Sequence, residues 1–66
     1  MITTTQYDRR GDFHKDMAWV SLNDVFVGTF DLVSGVGWSF RPGLISGMAP
    51  DQLRMVADAL DKFGKS

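Results

Sequence analysis

Between Met17 and Pro42 the chain reads MAWVSLNDVFVGTFDLVSGVGWSFRP, with large apolar residues at both odd and even positions. Runs rich in Val, Phe, Trp and Thr, broken by Asn23-Asp24 and Ser34-Gly35, predict three short antiparallel strands. Asn and Asp tolerate positive φ, so Asn23-Asp24 reads as a two-residue hairpin turn. That turn pairs Leu22 with Val25, Val20 with Val27, and Ala18 with Thr29. Side chains alternate along a strand, so these six share one face. Met17, Trp19, Ser21, Phe26, Gly28 and Phe30 fall on the other, with Trp19 covering the bare backbone of Gly28. Both faces of this ribbon are then apolar, which a half-solvated sheet does not show.

The second turn sets the faces of Trp38 and Phe40. A two-residue turn at Ser34-Gly35 places them with Val20 and Val27. A three-residue turn at Val33 to Gly35 moves them to the Trp19 and Phe30 face, because one residue of slip reverses the assignment. The two-residue turn is the form expected. One helix covers only one face, so the other needs the N-terminal segment, a second copy or a partner.

Downstream, Pro50 suits the first helical position and Asp51 the positive end of the helix dipole. Ala49 is a poor N-cap, which leaves Ser46 or solvent to assist. Leu53, Val56, Ala57 and Leu60 follow i, i+3, i+4, i+7, and Phe63 extends the stripe, predicting a helix over 50–63. Gly64 reads as its stop, and Asp58 with Lys62 as an i, i+4 ion pair. Leu44, Ile45 and Met48 read as anchors of the connecting loop at the core edge.

Upstream, ITTTQY at 2–7 is β-prone and reads as an additional strand that turns back through Asp8-Arg9-Arg10-Gly11. The fold class is therefore α+β: a three- or four-stranded antiparallel meander followed by one C-terminal helix packed on the sheet. Strands are expected near 13–22, 25–32 and 36–41, in a single domain spanning 1–66. With 66 residues and no cysteine, the chain is only marginally able to form a core alone and has no disulfide staples. No apolar run reaches the ~20 residues that span a bilayer, and the first residues lack the pattern of a signal peptide, so a cytoplasmic location is expected.

Seven basic residues face eight acidic ones, a formal net charge of −1, which argues against a strongly electrostatic nucleic-acid binder. All eight acids are Asp. Short, stiff carboxylates can imitate a row of phosphates, although Asp also suits turns and helix starts. Asp12, His14 and Asp16 would project from one side of a strand with metal-ligand chemistry. A solvated strand end explains them without a metal, and no metal or cofactor is expected. Arg10-Gly11-Asp12 reads as a turn, not an adhesion motif. No serine sits in a nucleophile elbow and no glycine loop leads into a phosphate-binding helix, so no enzymatic activity is expected.

The pattern W-V-S-L-N-D-V-F-V-G-T-F, then G-W-S-F-R-P, then P-D-Q-L, over residues 17 to 53, resembles small proteins of phages and mobile elements, among them the small anti-CRISPR inhibitors. The resemblance implies a non-enzymatic inhibitor that binds a host defence effector complex, such as a CRISPR effector subunit, and blocks its DNA-binding site as a DNA mimic. The near-neutral total departs from the strongly acidic mimics, so this role needs the aspartates gathered on one side. The expected partner-binding residues are Asp8, Asp12, Asp16, Asp24 and Asp31, with Trp19 and Phe26 as aromatic anchors. The alternative is a nucleic-acid-binding module in which Arg9, Arg10, Lys15 and Arg41 contact phosphates and Trp19 or Phe26 stacks on bases. A third reading is a homodimer whose sheets pack face to face; either a monomer or a homodimer is compatible with the sequence.

Overall fold

A computed structural model describes residues 1–43 and 47–65. Four antiparallel strands, β1 (Ile2–Thr5), β2 (Met17–Leu22), β3 (Val25–Val33) and β4 (Gly37–Pro42), form one sheet in the order β1-β2-β3-β4, and the helix α1 (Pro50–Lys65) follows. The α+β meander with a C-terminal helix packed on it is thus the architecture, with the N-terminal segment as a fourth strand. Among the described residues no helix is long and apolar enough to cross a membrane. Leu44, Ile45 and Ser46 lie outside the described residues.

Asn23 and Asp24 adopt φ of 50° and 67°, the left-handed pair that a two-residue hairpin requires. Leu22 faces Val25 and Ser21 faces Phe26, and then the ladder shifts. Val20 pairs with Gly28, not Val27, so Val27 is the extra residue of a β-bulge. From Gly28 onward the bulge reverses the expected faces, while Ala18, Val20, Leu22 and Val27 keep the core side and Met17, Trp19, Ser21 and Phe26 the other. Trp19 pairs with Thr29, Ala18 with Phe30, and Met17 with Asp31. Phe30 therefore points inward and is fully buried, alongside Ala18, Val20, Leu22 and Val27.

Gly28 makes the bulge sterically feasible. A Cβ there would lie 2.3 Å from the Arg41 carbonyl oxygen and 2.8 Å from the Phe40 ring. The ring that covers Gly28 is thus Phe40 across the β3–β4 ladder, not Trp19.

The second hairpin differs from both expected turns. Val33 pairs with Gly37, leaving Ser34, Gly35 and Val36 as the loop. The Val36 N–H donates to the Val33 carbonyl at 3.0 Å, and Gly35 sits at φ 82°, where glycine carries no Cβ penalty. Phe40 then faces Phe30, and Trp38 faces Leu32. Trp38 and Phe40 lie on the core face, as the two-residue reading had it, because one residue added in each hairpin leaves the parity unchanged.

The helix starts where Pro50 and Asp51 indicate. At its start Gln52 Oε1 accepts the Ala49 N–H at 2.8 Å, the reach-back half of a capping box; the expected help from Ser46 falls outside the described residues. The helix continues through Gly64 to Lys65. Val56 is buried, and Ala59, Leu60 and Phe63 pack on the core, whereas Leu53 is 49% exposed and Ala57 is also exposed. The apolar stripe is rotated relative to expectation because Phe63 governs the docking. Its ring centroid lies 5.5 Å from that of Phe30 and 4.8 Å from that of Trp38. Asp61, not Asp58, forms the i, i+4 ion pair, with Lys65 at 3.1 Å, and Asp51 pairs with Arg54 at 2.9 Å.

Candidate binding face and its cleft

The helix packs against one side of the sheet. The register assigns Thr3, Thr5, Met17, Trp19, Ser21, Phe26, Thr29, Asp31, Ser39 and Arg41 to the other. This outer face is mixed, with hydroxyls and an ion pair between aromatic rings, and so corrects the expectation of a ribbon apolar on both sides. The bulge is the cause: it exchanges Gly28 and Phe30 for Thr29 and Asp31.

Asp31 lies low on this face and is bridged to Arg41 Nε at 3.0 Å, while the Thr29 hydroxyl donates to its Oδ1 at 3.1 Å. Phe26, 46% exposed, stands near the β2–β3 turn. Its ring lies against Gly43, where a Cβ would meet it at 2.8 Å. Gly43 is tied to β3 by its N–H donating to the Val27 carbonyl at 2.9 Å.

Beyond β1 the chain forms an arm, residues 6–16, that folds beside Trp19. Its hairpin is closed by a bridge between Tyr7 and Phe13, whose rings lie 5.3 Å apart. Asp8 organises the turn. Its Oδ1 accepts the Arg10 and Asp12 N–H groups at 2.9 and 3.0 Å, its carbonyl accepts the Gly11 N–H, and its Oδ2 lies 3.0 Å from His14 Nε2. The His14 contact first, and then the backbone N–H of Asp12, hold the Asp8 carboxyl below the ordinary carboxylate range. His14 is bound to the arm through Gln6: its N–H donates to the Gln6 carbonyl, and Gln6 Nε2 donates to the His14 carbonyl at 3.1 Å. The His14 and Trp19 rings meet in a T-shaped pair, with centroids 5.1 Å apart and planes at 88°. The expected second strand from residue 13 is thus shortened to Met17–Leu22, and 13–16 belong to the arm.

Between arm and sheet lies an open cleft of about 510 Å³ lined by Thr5, Tyr7, Asp8, Arg9, Arg10 and Trp19. Arg9 and Arg10 have no carboxylate partner among the described residues. The cleft therefore combines two aromatic rings, the hydroxyls of Thr5 and Tyr7 and two unengaged guanidinium groups, while its one acid is already occupied by His14 and backbone donors.

The expected aspartates are distributed as follows. The Asp8 and Asp31 carboxylates are engaged within the fold. Asp12 and Asp16 are exposed on the arm, and Asp24 is exposed in the turn at the opposite end of the sheet. Asp12, Asp16 and Asp24 have no basic partner among the described residues. Trp19 is half-buried at the cleft, and Phe26 stands at the far end of the same face. Of the alternative basic set, Arg9 and Arg10 share the cleft, whereas Arg41 is committed to Asp31. Among the described residues no group of three His, Cys, Asp or Glu side chains converges as a metal site; His14 faces Asp8.

Tyr7 and Phe13 were not singled out from the sequence. The four-residue turn read at Asp8 to Gly11 sets Tyr7 opposite Asp12; in the structure Asp8 pairs with Asp12 around residues 9–11, which sets Tyr7 opposite Phe13, and the period of two sends Thr3, Thr5 and Tyr7 to one side. No protein-family model matches the chain, and no curated protein or solved structure shows significant similarity to it.

Proposed function

We propose that this chain is a non-enzymatic binding module that docks a partner protein on the outer face of its sheet. One observation carries this reading: Tyr7, Trp19, Arg9 and Arg10 are gathered around one cleft on the side away from the helix, with the Phe13 ring tilted against Tyr7 and Phe26 further along the face. Tyr7 and Phe13 are 59% and 56% exposed, a large aromatic exposure for so small a chain. Trp, Tyr and Arg are the residues in which interface energy concentrates, because they pair a large rigid apolar area with a polar tip. A net charge of −1 suits a protein partner better than a polyanion.

The resemblance to anti-CRISPR inhibitors supplies one partner class, a subunit of a CRISPR effector. In that form Asp12, Asp16 and Asp24, which lack basic partners among the described residues, would face Arg or Lys of a DNA-binding groove. The test is capture from a host lysate by immobilised wild-type chain and two variants. A protein retained by wild type and by exposed-helix Leu53→Gln, but lost with Tyr7→Ala/Trp19→Ala, is the expected result. Circular dichroism checks that the variants are folded. Capture indifferent to the Tyr7/Trp19 pair refutes the assignment of the face. Retention that is nuclease-sensitive and falls steeply with salt transfers the function to nucleic-acid binding.

A further inference from the structure

We infer that the cleft between the arm and β2 is a clamp for a single carboxylate carried next to an aromatic ring, so that the partner enters it with an acidic-aromatic peptide segment. This inference rests on the proposed protein-docking role and names the chemistry that one part of the face recognises.

Arg9 and Arg10 are adjacent in a turn held by four hydrogen bonds: Asp8 N–H to the Asp12 carbonyl, Gly11 N–H to the Asp8 carbonyl, and the Arg10 and Asp12 N–H groups to Asp8 Oδ1. Their stems thus leave from a fixed backbone, which reduces the ordering that binding requires. Guanidinium groups recognise carboxylates through paired N–H donors. Asp8 does not compete for them, because both its oxygens already accept bonds. Beside them the cleft is lined by two aromatic rings, Tyr7 and Trp19. Tyr7 is steadied by Phe13 and Trp19 by His14, so a ring brought by the ligand meets surfaces already in place.

Size and charge decide the class of ligand. A cleft of about 510 Å³ holds one or two residues. Asp12 and Asp16 are exposed on the same arm with no basic partner among the described residues. A nucleic-acid backbone tracking past Arg9 and Arg10 would bring successive phosphates near those carboxylates, whereas one isolated carboxylate need not approach them.

The experiment is an amide and indole NMR titration of the full chain with three probes: Ac-Phe-Asp-NH2, Ac-Phe-Asn-NH2 and adenosine monophosphate. Ac-Phe-Asp-NH2 is expected to shift the Trp19 indole and the amides of residues 7–12, with the Asn probe about tenfold weaker, as the loss of one charged hydrogen bond requires. Arg9→Gln/Arg10→Gln should abolish the difference between these two probes while leaving the rest of the spectrum in place. Equal binding of the Asp and Asn probes overturns the carboxylate clamp. Tighter binding of adenosine monophosphate at the same amides overturns the peptide class and points to a nucleotide. Absence of any shift at millimolar probe overturns the inference, while the docking role stands or falls separately on the Tyr7/Trp19 capture experiment.

Discussion

Replacing Gly28 by alanine probes the feature that sorts the two faces. The added Cβ would lie 2.3 Å from the Arg41 carbonyl oxygen, with the Phe40 ring at 2.8 and 2.9 Å and φ at 156°. The ring can turn aside, but the carbonyl belongs to the paired β4 backbone and cannot move without opening the ladder. Overpacking alone costs roughly 1–3 kcal/mol, and the unfavourable backbone conformation adds about 1–2 kcal/mol. Gly28→Ala should therefore lose about 3 kcal/mol or more. A chain of this length has about 3–10 kcal/mol in total. Urea unfolding followed by circular dichroism measures the change. With a slope of about 1 kcal/mol per molar the midpoint should fall by roughly 3 M or the variant should fail to fold. Gly11→Ala is the control, because φ there is 84° but a Cβ meets nothing within 4 Å. It should lose only about 1–2 kcal/mol. A Gly28→Ala midpoint equal to or above that of Gly11→Ala would refute the close approach of β4 and with it the bulged register.

Phe30→Ala should destabilise by about 3–5 kcal/mol in the same assay, since its ring is fully buried between Phe40 and Phe63; a loss under 1 kcal/mol would place it outside the core. Leu53→Gln should change stability by less than about 0.5 kcal/mol, whereas buried Val56→Ala should cost about 2 kcal/mol; the reverse order would restore the unrotated helix stripe. Asp8 has a folded-state pKa below its unfolded value, so its stabilising effect is complete above the ordinary carboxylate range and disappears as pH falls through the depressed value. Acid titration of the arm amides should show this transition in wild type and not in Asp8→Asn; identical titrations would remove Asp8 from its place at the centre of the turn.

The turn at Asn23-Asp24 was legible because both residue types accept the positive φ they adopt. The helix start was legible from Pro50 and Asp51. The bulge was not, although a cue was present: a glycine inside a strand often marks a bulge or a close backbone approach, and Gly28 marks both. Reading Gly28 only as a gap for Trp19 to cover put Phe30 outside. Trp38 and Phe40 reached the correct side through two compensating shifts, one at Val27 and one in the Ser34-to-Val36 loop. The helix stripe was ambiguous because two sets, beginning at Leu53 or at Val56, satisfy the same spacing. Contact of Phe63 with Phe30 and Trp38 decides between them, and it is a tertiary fact invisible to local periodicity. The aspartates were legible by type but not by employment: Asp8 and Asp31 serve the fold, through partners that only the folded chain brings to them.

Which side chains the open face offers a partner depends on how β2 is aligned with β3. Nuclear Overhauser contacts between α-protons across the two strands measure that alignment directly. The bulged register requires contacts of Trp19 with Thr29 and of Met17 with Asp31. Contacts of Trp19 with Gly28 and of Met17 with Phe30 would contradict it, turning Phe30 outward and dissolving the mixed aromatic and polar face on which the proposed docking rests.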